Sequence, residues 1–229
     1  MIYLSGDTHG DVTRFSNSKW DKGKKGDYLI ILGDFGLFWD DSNYERHWLK
    51  WLDSKPWTTL FIDGNHENFN VLDSFPEIKG KFGKNSYLGD TGYKNIFHVK
   101  RGSVLEIGGK TFFCFGGAES IDRYLRKENI TYWKNEIPRC SDIERGIESL
   151  KAYSNNIDFI LTHTIFKDAI DIFLDKDRGK LNDPTSKILS EFYRLTSFTH
   201  WYFGHFHKNK TSDYFGVTCL YDNIINIGG

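Results

Sequence analysis

The 229-residue sequence predicts an α/β fold built around a largely parallel sheet. Three observations lead there. Apolar runs of strand length recur near the start, at Ile2-Tyr3-Leu4, Tyr28-Leu29-Ile30-Ile31-Leu32 and Thr58-Thr59-Leu60-Phe61-Ile62, each followed by a glycine-containing turn and helix-compatible sequence. Two further runs, Phe159-Ile160-Leu161 and Trp201-Tyr202-Phe203, end as the first three do, in Asp, Asn or His. Between these groups the chain changes character: from Gly80 to Gly117 glycines punctuate short strand-like runs, a pattern of antiparallel pairing.

Taken in order, the first run gives a strand that turns at Gly6-Asp7-Thr8-His9-Gly10-Asp11, and Val12 to Trp20 reads as a short helix before the basic loop Lys22-Gly23-Lys24-Lys25-Gly26. The second strand ends at Gly33-Asp34-Phe35-Gly36. Asn43 to Ser54 places Tyr44, Trp48, Trp51 and Leu52 at helical spacing, an aromatic stripe expected to face the core. The third strand delivers Asp63-Gly64-Asn65-His66-Glu67, and three strand-loop-helix units in a row call for right-handed crossovers. Strands are then expected at Asn95–Lys100, Ser103–Ile107 and Thr111–Phe115, with Gly108-Gly109 as a hairpin turn. Gly116 to Arg126 reads as a loop, and Tyr124 to Pro138 shows no clean period. Ser141 to Ser154 reads as a helix with Ser141 as N-cap and Glu144 completing a capping box. A strand at Asp158–Leu161 presents His163, a helix covers Asp183–Leu195, and a strand ending at Phe203 presents His205 and His207. Val217–Tyr221 and Ile224–Ile227 close the chain as strands.

Composition excludes several classes. Hydrophobic content of 39% with 27% charged residues is that of a globular protein, and 17% aromatic residues forecasts a core rich in Phe and Tyr. No linker, repeat or low-complexity tract divides the chain, so a single domain over residues 1–229 is expected. A net charge of -1 offers no global field for a polyanion, so nucleic-acid binding would need a local patch such as Lys22-Lys24-Lys25 or the Lys208-Lys210 pair. No apolar segment approaches the ~18 residues that a membrane span requires. Cys114, Cys140 and Cys219 are odd in number and scattered, which suggests neither a disulfide framework nor a thiolate zinc site. The first residues lack the basic segment of a secretory signal, so a cytoplasmic location is expected.

The strand-end residues carry the chemistry. Asp, Asn and His are oxygen and imidazole donors suited to divalent ions, and Gly6, Gly33, Gly64 and Gly204 beside them permit sharp turns that bring distant side chains together. Carboxyl ends of strands are where open α/β folds place ligands. One Asp-x-His is a weak sign, since a surface turn explains it as well; five ordered motifs are a strong one.

In these motifs the chain resembles the calcineurin-like metallophosphoesterase family: Asp7-Thr8-His9 matches its Asp-x-His, Gly33-Asp34 its Gly-Asp, Gly64-Asn65-His66-Glu67 its Gly-Asn-His-Asp/Glu, His163 its lone His, and Gly204-His205-Phe206-His207 its Gly-His-x-His. The resemblance implies a four-layer α/β/β/α double β-sandwich with two divalent cations in its cleft. By that likeness Asp7, His9 and His207 hold one ion, Asn65, His163 and His205 the other, and Asp34 bridges them. Mn²⁺ is the ion expected, with Fe, Zn, Ni, Co or Mg as alternatives. His66 is the matching non-ligand histidine, which stabilises the transition state or protonates the leaving group, and Asp34 and His66 are the catalytic pair. Asn65 is also placed at the substrate.

One departure matters. In the protein Ser/Thr phosphatase branch of that family the Gly-Asp motif continues to Asp-Arg-Gly, where this chain has Leu37-Phe38-Trp39, so that branch is disfavoured. A replacement phosphate grip is sought in Arg123 or Arg126 of the Gly116 to Arg126 loop, with a surface salt bridge as the equal alternative for either. Asp40 or Glu67 is the acid available to orient His66, and both are equally suited to face water. Phe35, Phe38 and Trp39 are expected in the core, with cleft lining as the alternative. His47, His98 and His200 fall outside the motifs and are read as structural. The function expected is hydrolysis of a phosphomonoester or phosphodiester of a small, nucleotide-like molecule; a nuclease or cyclic-nucleotide phosphodiesterase and a non-catalytic metal-binding scaffold are the alternatives. Neither the substrate nor the oligomeric state is legible.

Overall fold

A computed structural model describes residues 1–16, 23–174 and 183–228. The strands are β1 Ile2–Ser5, β2 Tyr28–Leu32, β3 Thr58–Ile62, β4 Glu77–Lys79, β5 Tyr87–Asp90, β6 Ile96–Val99, β7 Ser103–Ile107, β8 Lys110–Phe115, β9 Asn156–Thr162, β10 Ser197–Phe203, β11 Lys210–Ser212, β12 Val217–Cys219 and β13 Ile224–Gly228. The helices are α1 Asn43–Asp53, α2 Phe69–Leu72, α3 Cys140–Ala152, α4 Ile170–Phe173 and α5 Pro184–Leu195.

Two mixed sheets form, ordered β13-β1-β2-β3-β6-β5-β4 and β11-β12-β10-β9-β8-β7. In the first, β1, β2, β3 and β6 run parallel; in the second, β8, β9, β10 and β12 do. Antiparallel strands flank both groups, among them the β7–β8 hairpin predicted at Gly108-Gly109. Strand alternation sorts the side chains into three apolar layers. Ile30 and Leu32 of β2 point inward with Leu60 and Ile62 onto Leu105, Phe112, Cys114 and Leu161 of the second sheet. Leu29, Ile31 and Phe61 face outward beneath Leu49 and Leu52 of α1. On the far side Phe113, Phe115, Ile160 and Trp201 pack beneath Leu150, Leu189 and Phe192 of α3 and α5. This is the helix, sheet, sheet, helix arrangement that the resemblance implied.

Local chemistry moves several expected elements. Instead of a helix after Val12 there is a 3₁₀ turn at Thr13–Phe15, because the Asp11 carboxylate accepts from both the backbone N–H and the hydroxyl of Thr13. The remainder of that predicted helix beyond Ser16, and Lys22 of the basic loop, lie outside the described residues. In α1 Leu52 is buried and Trp48 and Trp51 pack half-buried against the same apolar layer, as expected, while Tyr44 is 55% exposed and Glu45 and Leu49 join the buried face. Glu45 is accommodated inside because its carboxylate accepts the backbone N–H groups of Trp39 and Asp40, at 2.6 and 3.2 Å. α3 begins before Ser141, since the Asp142 carboxylate caps the N–H of Arg139 at 2.9 Å and extends the first turn backward. α5 follows the expected pattern, with Asp183 as N-cap and Pro184 in the first turn. Cys114, Cys140 and Cys219 are unpaired thiols. No helix among the described residues is long and apolar enough to cross a membrane.

Candidate metal centre

Parallel strands of both sheets end at one rim of the sandwich. Asp7 and His9 follow β1, Asp34 follows β2, Asn65 and His66 follow β3, His163 follows β9, and His205 and His207 follow β10. Asp7, His9, Asp34 and His207 each bring a donor atom within 4.8 Å of the others, although His9 and His207 are 198 positions apart. Nε2 of His207 lies 3.1 Å from Asp7 Oδ2 and 3.1 Å from His9 Nε2, and His9 Nε2 lies 3.7 Å from Asp34 Oδ2. On the other side of Asp34, Nε2 of His163 approaches Asp34 Oδ1 at 3.4 Å and Asn65 Oδ1 at 3.1 Å. The His205 ring packs edge-on against His163 at a centroid distance of 5.0 Å. Asp34 therefore stands between two groups of donors.

The backbone is shaped to produce this crowding. His9, Asp34, His205 and His207 all adopt left-handed φ, between 47° and 68°, a conformation costly to residues other than glycine and concentrated at functional sites. A Cβ on Gly64 would collide with the carboxylate and backbone nitrogen of Asp34, and one on Gly204 with the carboxylate of Asp7. The loops also lock one another: the N–H groups of Thr8 and His9 donate to the Asp34 carbonyl at 3.0 and 2.8 Å, and the Thr8 hydroxyl donates to the Phe35 carbonyl at 2.7 Å. The N–H of His66 donates to Asp34 Oδ1 at 2.7 Å, and that of His205 to both oxygens of Asp7.

Asp7 and Asp34 are 0% and 1% exposed, and imidazoles are their ion-pair partners. Burial favours neutral His163, but the carboxylates of Asp34 and Asp7 outweigh it and push its pKa up to about 10. Burial likewise opposes the ionised form of Asp34, yet His163 and the other imidazoles hold its pKa well below the usual carboxylate range. Burial carries His205 down to about 3, with His163 adding to the effect. Nδ1 of His163 donates to the Leu32 carbonyl at 2.9 Å, which aims Nε2 at Asp34 and Asn65, where a bound cation would take the place of the Nε2 proton. Two buried carboxylates drawing positive charge, with imidazole and amide donors and no thiolate, fit divalent cations of the borderline class.

His66 stands beside this centre, its ring 5.2 Å from that of His9 between centroids. The terminal nitrogens of Arg126 face its Nδ1 and Nε2 at 2.9 and 3.1 Å, and Asp122 holds the same guanidinium at 2.8 Å. Burial, reinforced by Arg126 and His9, holds the His66 pKa below its ordinary value against the pull of Asp34. Of the two arginines read from the loop, Arg126 is the one at His66; Arg123 instead pairs with Glu119 at 2.6 Å, 53% exposed. Neither acid considered for orienting His66 does so. Asp40 is exposed and accepts from the Ser42 N–H, while Glu67 is fully buried and accepts from the N–H of Phe35 at 2.8 Å, bracing the Asp34 loop. Phe35 and Phe38 are buried in the apolar layer under α1, and Trp39 packs against Trp133. His98 is buried on Asp63, His200 bonds Thr218, and His47 packs on Trp48. Lys208 and Lys210 turn their ammonium groups to the carbonyls of Phe173 and Ile172.

Several supporting residues were not legible in the sequence. Asn65 Nδ2 donates to Ser120 Oγ at 3.1 Å, and Ser120 donates to the buried Glu136 at 2.7 Å, which fixes the amide with its oxygen toward His163. Arg14 grips the carbonyls of Asp7 and Tyr221, both at 2.7 Å, and the Tyr221 ring stacks on His207 at 4.7 Å. None of these positions lies in a motif; each acquires its role through a contact distant in sequence.

Two sandwiched sheets with a rim of convergent acids and imidazoles make this a protein built to hold divalent cations. The model of the calcineurin-like phosphoesterase family matches residues 1–209, and the chain belongs to that family: it is a metal-dependent phosphoesterase. A lariat debranching enzyme of Schizosaccharomyces pombe (strain 972 / ATCC 24843) is 28% identical over an alignment of 157 residues that covers 61% of this chain and 32% of that enzyme. The match thus spans about a third of the relative's length.

Proposed function

We propose that this single-domain chain hydrolyses a phosphomonoester or phosphodiester of a small, nucleotide-like molecule with two divalent cations. Asp7, His9 and His207 would hold one ion, Asn65, His163 and His205 the other, and Asp34 both; Mn²⁺ is the ion proposed, with Fe, Zn, Ni, Co or Mg as alternatives that the same donors accept. Such ions, when bound, polarise phosphoryl oxygens and make hydroxide available near neutral pH. The chain's own residues do the rest. Arg126, braced by Asp122, lies against His66 where a guanidinium can grip a phosphoryl oxygen, filling the place left by the missing Asp-Arg-Gly. His66 then carries a proton to the departing oxygen or bonds it as charge develops, and the negative substrate offsets the influences that lower its pKa. Asn65, its amide fixed by Ser120, orients substrate as well as metal.

The observation that carries the reading is the meeting of Asp7, His9, Asp34 and His207 from opposite ends of the chain within 4.8 Å. Hydrolysis of an aryl phosphate and a bis-aryl phosphate with added Mn²⁺ tests it. Asp34→Asn and His66→Ala are expected to lose at least about 10²-fold in kcat; rates equal to wild type would overturn it. A second reading, a diesterase acting on branched nucleic acid, is favoured by the likeness to the debranching enzyme. Cleavage of single-stranded and branched RNA over a salt series separates the two, because a polyanion substrate brings a steep salt dependence.

A further inference from the structure

Eight large hydrophobic side chains are exposed among the described residues, and four of them lie within ten positions of one loop: Ile121 at 58%, Tyr124 at 80%, Leu125 at 75% and Ile130 at 51%. Single exposed apolar residues need no explanation, but a concentration does. This loop is also built rather than loose. The N–H groups of Leu125 and Arg126 donate to the carbonyls of Asp122 and Arg123 at 2.8 and 3.1 Å, and Asn129 closes onto Tyr132 at 2.8 Å. Its two anchors belong to the candidate centre: Ser120 holds the amide of Asn65, and Arg126 lies on His66. The apolar residues are therefore carried between and just beyond two side chains that themselves touch the reacting residues.

We infer that Tyr124 and Leu125, with Ile121 beside them, form a recognition surface for a flat apolar ring, aryl or nucleobase, carried by the organic part of the substrate. The inference rests on the phosphoesterase reading above. A phosphoryl group held by Asn65, His66 and Arg126 has its ester substituent leaving the centre past the loop that supplies Arg126. A ring docked there covers Tyr124 and Leu125 from water, and an aromatic face accepts any flat ring without base-specific hydrogen bonds.

The test uses Mn²⁺-loaded protein and two non-hydrolysable ligands with the same head group, phenylphosphonate and methylphosphonate, with the P–C-linked phosphonate analogue of adenosine 5′-monophosphate as the nucleobase arm, each titrated calorimetrically. Wild type is expected to bind phenylphosphonate about tenfold or more tightly than methylphosphonate. In Tyr124→Ala and Leu125→Ala that preference should shrink severalfold, Tyr124→Phe should keep it, and Tyr214→Ala, which removes an 88% exposed ring elsewhere, should leave it unchanged. Stronger loss for the adenosine phosphonate than for phenylphosphonate would identify a nucleobase as the ring. Equal binding of the two phosphonates by wild type, or a preference untouched in both alanine variants, overturns the inference while the phosphoesterase reading stands. Failure of wild type to bind either phosphonate or to hydrolyse any aryl ester would remove both.

Discussion

His66 is subject to opposing fields: burial, Arg126 and His9 disfavour its charged form, and Asp34 favours it. The net effect lowers its pKa, so in the free protein the ring is neutral at neutral pH and gains its proton only as pH falls below its ordinary value. Histidine-selective NMR titration of the metal-free protein should accordingly place the His66 midpoint below 6.5. In Arg126→Gln the midpoint should rise, since one of the lowering charges is gone; a fall, or no change, would show that the guanidinium does not act on the ring. Legibility at this scale was uneven. Asp7, His9, Asp34, Asn65, His163, His205 and His207 were readable because each sits in a short motif at a strand end. Ser120, Glu136, Arg14 and Tyr221 are common residues in unremarkable surroundings, and only the folded contacts reveal their roles.

Strands were more legible than helix ends. Apolar runs such as Tyr28 to Leu32 are dictated by burial on both faces of a sheet, a signal that tertiary context reinforces. Caps depend on single side chains, and Asp142 reaching back to Arg139 moved the start of α3 away from Ser141. In α1 the expected stripe holds at Trp48, Trp51 and Leu52 but not at Tyr44, and the buried Glu45 beside it was illegible because two backbone N–H groups near Trp39 satisfy it. The turn after β3 makes a sharp demand on its glycine. Gly64→Ala inserts a methyl group into the space filled by the Asp34 carboxylate and backbone, where nothing can yield without moving that residue. The expected result is a stability loss of about 1–3 kcal/mol by denaturant unfolding together with lost hydrolysis. Wild-type stability and rate in this variant would show that the crowding is not real.

For the whole molecule, the centre depends on keeping the rims of two sheets in register, since β1, β2 and β3 contribute from one and β9 and β10 from the other. A buried ion pair near that rim ties the pieces together: Arg101 donates to Asp63 Oδ2 at 2.8 Å and to the carbonyls of Asn135 and Glu136 at 2.9 and 3.1 Å. Burial raises the Asp63 pKa, but Arg101 and His98 more than compensate and bring it down to about 2, below its ordinary 3.8. A depressed acid stabilises the fold at pH above its unfolded value and ceases to do so as pH falls through its folded one. This contribution is therefore complete above about pH 4 and lost toward pH 2. Arg101→Met, which strands Asp63 in the interior, should cost about 3–5 kcal/mol at neutral pH by urea denaturation; a cost below 1 kcal/mol would mean the pair does not hold the rim.

The central claim is that donors from both sheets share a pair of cations around Asp34. Anomalous diffraction from crystals grown with Mn²⁺ tests it most directly. Two peaks flanking the Asp34 carboxylate, one within ligand distance of Asp7, His9 and His207 and the other of Asn65, His163 and His205, are the result predicted. A rim with no peak, or manganese bound only elsewhere on the surface, would contradict it.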